Sequence, residues 1–481
     1  MIPDLRRFAT DNCPTLTAFS IKAWRLFMLA AGRTVRLLKW IGIVIAVLLI
    51  ISLTVHAVLS FCWSRQLNRR LAEIRSHGEP ITAADLHTKK IPADQNAALF
   101  YKQAFKVQKF PSNPYNSLDT LSNLFSDYPG EKEVSLAHLR KLIKTNSKTL
   151  KLIEEASLCP KCAFQVNWGL PNEDSSHLSI LSRLSKLVTA RAILHARDNK
   201  QNEAISDIFL TFKFSDSLKD FPIERHTFFV RSNTLETALR GLMEVAQQCP
   251  LTTAQAALFY DKLAAIRPDA DIRTVLINER ALLNTYYDST RRDWQNLICV
   301  DWASSAQPSY LDTLPYRLIA FAWRPFSYKD QQISLDLMEQ NLRRVHLPYR
   351  KLVHLYPDTD ARSLPIYTLA HHYSSLSHQL AAERDSAKAK IGLAQTAMAL
   401  TAYKNTHGYY PESLDPLKIT PGWRLPQDPF SGKSYTYQRT EKVFLLYSWG
   451  IDLKDNSGRT YEQMPRGCKS NAGDMVWKCD R

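Results

Sequence analysis

From Trp40 to Trp63 the chain contains no Lys, Arg, Asp or Glu. Lys39 and Arg65 flank this run, a tryptophan stands at each end, and Ile41-Gly-Ile-Val-Ile-Ala-Val-Leu-Leu-Ile-Ile51 fills its first half. A helix rises about 1.5 Å per residue, so roughly 20 apolar residues match a hydrocarbon core of about 30 Å. In lipid, a lone segment satisfies its own backbone polar groups only as a helix. Tryptophans at both ends suit the membrane–water boundary. A buried soluble helix is the alternative, and such helices seldom stay apolar all round for this length. The run predicts one membrane-spanning helix over 40–63. It constrains where the chain resides more than what it does.

The residues ahead of the span carry Arg6, Arg7, Lys22, Arg25, Arg33, Arg36 and Lys39 against Asp4 and Asp11. That excess of positive charge favours a cytoplasmic N-terminus, although Arg65, Arg69, Arg70 and Arg75 beyond the span reduce the asymmetry. A cleaved signal peptide needs a shorter apolar region and small residues at the cut. Leu59-Ser60-Phe61-Cys62 puts bulky Phe61 where a lipoprotein box needs a small residue. The reading is an uncleaved signal anchor in an inner membrane, with residues 1–39 as a basic cytoplasmic tail. Within that tail, Trp24, Met28, Ala31, Val35 and Leu38 fall opposite Lys22, Arg25, Arg33 and Arg36. This spacing predicts an amphipathic helix on an anionic leaflet, or more plainly a topogenic charge cluster.

Residues 64–481 are enough for two or three domains with cores of their own. The net charge of +16 is spread along the chain rather than blocked. No basic stretch carries a nucleic-acid-binding motif, so anionic lipid, wall polymer or solubility explain the charge better than nucleic acid. Membrane lipid and a protein in the envelope are the expected partners, and no small-molecule substrate is indicated. Of the eight cysteines, six lie beyond the span, an even number that suits disulfides in an oxidising compartment. Cys159-Pro-Lys-Cys162 has the spacing of a redox motif or half a zinc site. It follows a helical segment rather than a βα junction, and no second close pair completes a tetrahedron. A local disulfide or an inert pair is the plainer reading.

Residues 64–380 read as all-α, with helices near 96–105, 135–156, 177–197, 202–218, 227–247, 253–265, 270–292, 329–352 and from Ser363 onward. Pro250, Pro268, Pro325 and Pro348 punctuate them or sit at their ends. Ala190 to Leu218, with small Ala196 and Ala204 near the break at Asp198-Asn199-Lys200, resembles one tetratricopeptide-like helical hairpin. A 34-residue period along the chain is not established. His371 and His378 share a helix face ahead of Glu383, but no His-Glu-x-x-His pattern makes them ligands. Surface or capping roles are expected for these histidines. Arg280, Arg291 and Arg292 beside Glu279 and Asp293 read as solvated or paired helix faces. No nucleophile elbow, phosphate loop or dinucleotide fingerprint occurs.

Composition changes after Leu380. Glu383 to Thr406 predicts an Ala-rich helix with Ile391, Ala394, Met398 and Ala402 on one stripe, closed by Gly408. Asp428-Pro-Phe-Ser-Gly432 is a turn, and Lys433–Arg439 and Lys442–Trp449 alternate as an antiparallel hairpin, with Val443, Leu445, Tyr447 and Trp449 on one face.

The order of Ala402-Tyr-Lys-Asn-Thr-His-Gly-Tyr-Tyr-Pro-Glu-Ser-Leu414, the Asp-Pro-Phe-Ser-Gly turn and Leu446-Tyr-Ser-Trp-Gly-Ile-Asp-Leu-Lys-Asp455 resembles the globular end of type II secretion major pseudopilins. The resemblance covers about 381–481 and implies a small α+β domain there. It also implies a calcium ion in the loop after the last strand, at Asp452, Asp455, Asn456 and Ser457 with Asp474 downstream. Calcium takes six to eight oxygens, which these side chains suit. An Asp/Asn/Ser/Gly turn without an ion is the alternative, since Lys454 and Arg459 bring positive charge. By the same analogy Cys468 and Cys479 are the terminal disulfide pair. Two departures stand against pilus assembly. Residues 64–382 separate the span from the helix, and Val47 occupies the place of the family's glutamate.

The sequence thus predicts a mostly α chain with a tail, a single-pass anchor at 40–63, an all-α ectodomain at 64–380 and a pseudopilin-like end domain. Its expected role is non-catalytic binding, scaffolding or assembly at the envelope, with the resemblance pointing to secretion. The alternative is an envelope hydrolase with its site in the helical region.

Overall fold

The computed structural model describes residues 14–86, 91–109, 136–164, 176–220, 224–292, 310–357, 373–419, 422–440, 443–465, 468 and 472–479. Contacts divide the chain into two compact units, one of residues 1–69 with 308–329 and one of residues 70–307 with 330–481.

The first unit holds the longest helix, α1 (Pro14–Ser76), which runs without a break through both the predicted tail helix and the predicted span. Its stretch Thr34–Ser76 is long and apolar enough to cross a membrane. Every large apolar side chain from Trp40 to Val55 is exposed to the surroundings.

The second unit is helical apart from one small sheet. Its helices are α2 (Ala97–Val107), α3 (Leu136–Thr145), α4 (Ser147–Ser157), α5 (Ser176–Arg197), α6 (Gln201–Ser217), α7 (Arg225–Gln248), α8 (Thr253–Ala265) and α9 (Ile272–Arg292). They continue with α10 (Tyr310–Arg344, shared between the units), α11 (Tyr349–Leu355), α12 (Leu376–His407) and α13 (Asp415–Ile419). Local chemistry sets their starts. The Asn96 side chain accepts from Ala98 N, Glu224 accepts from His226 N and Thr227 N, and Thr252 with Gln255 forms a reciprocal capping box.

The expected hairpin is α5 and α6, joined through Asn199 at φ 55°. α7 lies across both. Gly241 permits that approach, because a β-carbon there would run into Thr189 of α5 and Ile208 of α6. Two apolar cores result. One joins α2, α4, α5 and α6 through Tyr101, Ile153, Leu184 and Phe214. The other runs from Phe212, Leu242 and Phe259 into Leu393, Met398, Leu446 and Trp477. The composition change at Leu380 is therefore no gap in packing, since one core crosses it.

The Ala-rich helix α12 makes this possible. It is buried on all sides from Ile391 to Leu400 rather than along one stripe. Alanines let α7, α8 and the sheet approach closely at once, and a helix apolar all round belongs in an interior. Gly392 faces Tyr435, whose ring occupies the place a side chain would take. Lys390 pairs with Glu236 of α7 at 2.7 Å. Burial pushes the Glu236 carboxyl up, but Lys390 and Arg240 outweigh it and hold it down at about 2. Gly408 closes the helix at φ 85°.

The sheet has strands β1 (Thr436–Arg439), β2 (Phe444–Ser448) and β3 (Met475–Cys479), antiparallel in the order β1-β2-β3. The hairpin was legible and the third strand was not. Within β2, Phe444 and Leu446 join the core with α12, rather than the predicted Leu445 and Tyr447. Tyr447 is buried as well, on the opposite face, where its hydroxyl donates to Asp455 at 3.1 Å. The predicted turn is clasped to β2 by Asp428, which accepts from Phe430 N, Ser431 N and the Ser448 hydroxyl at 2.6 Å.

Candidate functional site

The residues assigned to a calcium loop do come together. Asp474 is 5% exposed and accepts from Asn456 N at 3.1 Å and Gly458 N at 2.7 Å. Asp452 accepts from Lys454 N, from the Asn456 amide at 3.0 Å and from Gly473 N at 3.2 Å. Asp455 accepts from Ser457 N at 2.9 Å and from Tyr447. Three acids and an amide thus close one loop over the outer face of β2 and β3. Burial raises the Asp474 carboxyl to about 6, and Asp455 and Asp452 add to that rise against the pull of the two N–H donors. The oxygens face N–H donors, and among the described residues no three His, Cys, Asp or Glu side chains converge in a way that holds a metal. The arrangement fits a self-closed loop better than a calcium cage.

The disulfide expectations fare differently from the loop. Among the described residues, Cys159, Cys162 and Cys468 stand in no disulfide. The side chain of Cys479, like Cys13 and Cys299, lies outside the described residues. Cys162 is buried, and Cys159 approaches the Asp94 carbonyl oxygen at 3.9 Å. Burial and Asp94 push the Cys159 thiol up, which is the wrong direction for a reactive thiolate. Lys161, between the two cysteines, instead accepts from Ala97 N and donates to the Gln95 carbonyl at the start of α2, and the Asn96 amide binds the Ala163 backbone just beyond Cys162 in both directions. His378 has a structural partner, the Tyr356 carbonyl at 2.7 Å, while His371 and His372 and the helix predicted from Ser363 fall outside the described residues.

The charged stretch of α9 is less solvated than its sequence indicates. Glu279 and Arg280 are 6% and 3% exposed. Arg280 pairs with Glu79 at 2.6 Å, and Glu279 accepts from Arg225 N at 3.2 Å. Burial raises the Glu279 carboxyl to about 6, with Arg225 opposing and Glu224 reinforcing the shift.

One grouping was not singled out from sequence. On the hairpin, Arg191 and His195 lie one turn apart on α5 and face Asp207 on α6. Arg191 grips both Asp207 oxygens, at 2.6 to 3.1 Å, and reaches Glu154 of α4 at 2.7 Å. His195 Nδ1 stands 3.0 Å from Asp207 Oδ2. Burial lowers the Arg191 pKa, but the bonds to Asp207 and Glu154 outweigh it and keep the guanidinium charged. The group borders a groove of about 410 Å³ that also holds Glu203, Ser206 and Lys213. A carboxylate at Nδ1 orients an imidazole so that Nε2 can exchange a proton. Here Arg191 already occupies both oxygens of that carboxylate. An i, i+4 Arg–His pair across a short turn from a buried Asp is the signal that would have found the cluster.

Two further hollows adjoin the short link after α8. One, of about 490 Å³, is lined by Arg231, Lys219 and Lys262 among others. The other, of about 800 Å³, lies between α8, α12 and the loop 422–429 and includes Lys388 and Arg424. Ile266, Arg267 and Pro268 border both. Several of these cations are paired: Arg231 with Asp271 at 2.6 Å, Lys262 with Asp216 at 2.8 Å and Lys388 with Asp269 at 3.1 Å.

Compared with protein-family models, with curated proteins and with solved structures, the chain matches none.

Proposed function

We propose that this chain is an anchored, non-catalytic binding or scaffolding protein of a bacterial envelope. One span holds it in the inner membrane, with the N-terminus in the cytoplasm and the bulk of the chain after Trp63 on the other side. The observation that carries this reading is the unbroken helix whose apolar side chains from Trp40 to Val55 are all exposed. A surface of that kind needs lipid around it.

The binding part draws support from the two hollows flanking Ile266–Pro268. They are open, carry more basic than acidic side chains and have Arg267 on both rims. Such a surface suits an acidic protein partner. The pseudopilin resemblance supports an end-piece related to secretion assemblies, and it rests on its motif residues alone. In this reading the acidic loop is a structural clasp whose carboxylates close the chain on itself.

The experiment is a photo-crosslinking residue at Arg267 in intact cells, with a second at exposed Leu258 as reference. Capture of one defined protein from Arg267, and not from Leu258, supports the reading. Equal or no capture at both sites counts against it. A membrane fractionation of the same cells tests the anchor, and recovery of the full chain in the soluble fraction overturns it.

A second reading, an envelope hydrolase, is favoured by one observation, the buried Asp207 held to His195 beside a groove. His195→Ala is its test. Loss of a wall-polymer hydrolysis measured with the wild-type chain would establish it, and unchanged hydrolysis would dismiss it.

A further inference from the structure

Residues 308–329 belong to the same compact unit as the apolar part of α1, far from it in sequence. They form the first half of α10. Phe321 stacks on His56 with ring centroids 4.3 Å apart, and the Phe321 carbonyl lies 2.8 Å from His56 Nε2. Five residues on, Phe326 packs against Trp63 at 5.8 Å. The two helices therefore run side by side in the same direction, in register over 56–63 and 321–326. Trp63 is the residue read above as marking the membrane boundary.

Side chains on this half-helix are sorted by face. At 100° per residue, Leu318, Ile319, Ala322 and Phe326 fall within one arc of about 100°, and Arg317 and Arg324 fall opposite. The apolar arc is not buried. Leu318 is 62%, Ile319 57% and Phe326 48% exposed. An isolated apolar side chain on a surface means little, but an arc of them continuous with an exposed spanning helix does. A helix with an apolar face and a basic face suits the plane of a leaflet, with the apolar face against acyl chains and the guanidiniums at phosphates.

We propose that residues 317–326 form a second membrane element, a helix seated in the leaflet at the Trp63 end of the span and in contact with anionic phospholipid. Leu318, Ile319 and Phe326 meet the acyl chains, and Arg317 and Arg324 meet headgroup phosphates. The chain then touches the bilayer at two places far apart in sequence, one ending at Trp63 and the other beginning at Arg317. The proposal rests on the anchor reading, and its test separates the two.

Full-length chain whose eight native cysteines are replaced by alanine is reconstituted in vesicles of phosphatidylcholine and phosphatidylglycerol, with an environment-sensitive fluorophore on a single introduced cysteine. The positions are Ile319→Cys, Ile45→Cys in the span and Leu258→Cys on the helical body, all exposed, so none disturbs a core. Leu318→Cys serves as a second reporter of the proposed face. Lipids carrying a doxyl quencher on the acyl chain are then added. Blue-shifted emission and quenching at 319 and 318, comparable to that at 45 and missing at 258, support the proposal. Quenching at 45 alone overturns it and leaves the anchor standing. No quenching at 45 removes both. Replacing phosphatidylglycerol by phosphatidylcholine should weaken quenching at 319 while leaving 45 unchanged, and an unchanged signal at 319 would refute the anionic-lipid contact.

Discussion

The hairpin cluster and the end loop both gather carboxylates, and they neutralise them by opposite means. Around Asp207 the neighbours are cations: Arg191 in a two-oxygen grip, with His195 at the remaining approach. Around Asp474 they are backbone N–H groups and two more acids. A guanidinium fixes the pair and offsets part of the desolvation, yet burial still raises the Asp207 carboxyl against the pull of Arg191 and His195. N–H donors fix the geometry but leave like charges facing one another, so protonation becomes the loop's relief. Two acids around a guanidinium thus give a gripped joint, and three acids around N–H donors give a clasp that protonation relieves.

The sharpest way to break the comparison is Asp207→Ala. It leaves Arg191 buried with only Glu154, and the loss should be about 3–5 kcal/mol in denaturant unfolding. A loss under about 1 kcal/mol would mean the grip is no more than a surface pair. Next comes Gly392→Ala, which drives a methyl group into Tyr435 beneath the end sheet. Overpacking of this sort costs about 1–3 kcal/mol, read as a lower unfolding midpoint with an unchanged denaturant slope.

The pH prediction concerns Asp474. Its folded pKa of about 6 lies above the ordinary 3.8, so its contribution to stability is full below about 3.8 and is lost as pH rises through 6. Asp474→Asn should flatten the melting temperature between pH 4 and pH 7 (roughly the span between the two pKa values) relative to wild type. A parallel pair of curves would show that the carboxyl does not titrate in that window. Smallest of all is the response to calcium. A self-closed loop predicts that millimolar calcium, or a chelator, leaves the melting temperature where it was. A calcium-dependent rise would show that the carboxylates turn from their N–H donors to an ion. Arg140→Ala, which removes an exposed partner of Asp198 at the hairpin turn, should not move the midpoint measurably.

Features with a local cause were legible in the sequence. A charge-free run, a helix stop at Gly408, a turn at Asp428 and the alternation of β1 and β2 each depend on neighbours in the chain. The acidic loop was reached through the pseudopilin resemblance, which is what set distant Asp474 beside Asp452 to Ser457. Features set by packing were not. β3 is five residues long and gives too little alternation to stand out. The core-facing set of β2 was misjudged because both faces are covered, so Leu445 and Tyr447 are as apolar as Phe444 and Leu446. The exposed apolar arc of α10 was hidden by Arg317 and Arg324, which depress local hydropathy although they lie off that arc. The Arg191–His195–Asp207 cluster needs two helices to meet before it exists.

The all-round burial of α12 sets a limit on how this chain can be dissected. A cut at residue 380 would keep the strands and the clasp but strip Ala387, Ala394 and their neighbours of the helices that cover them. The end region is not a portable cassette. Grafted elsewhere, it would carry a bare greasy rod in search of a host.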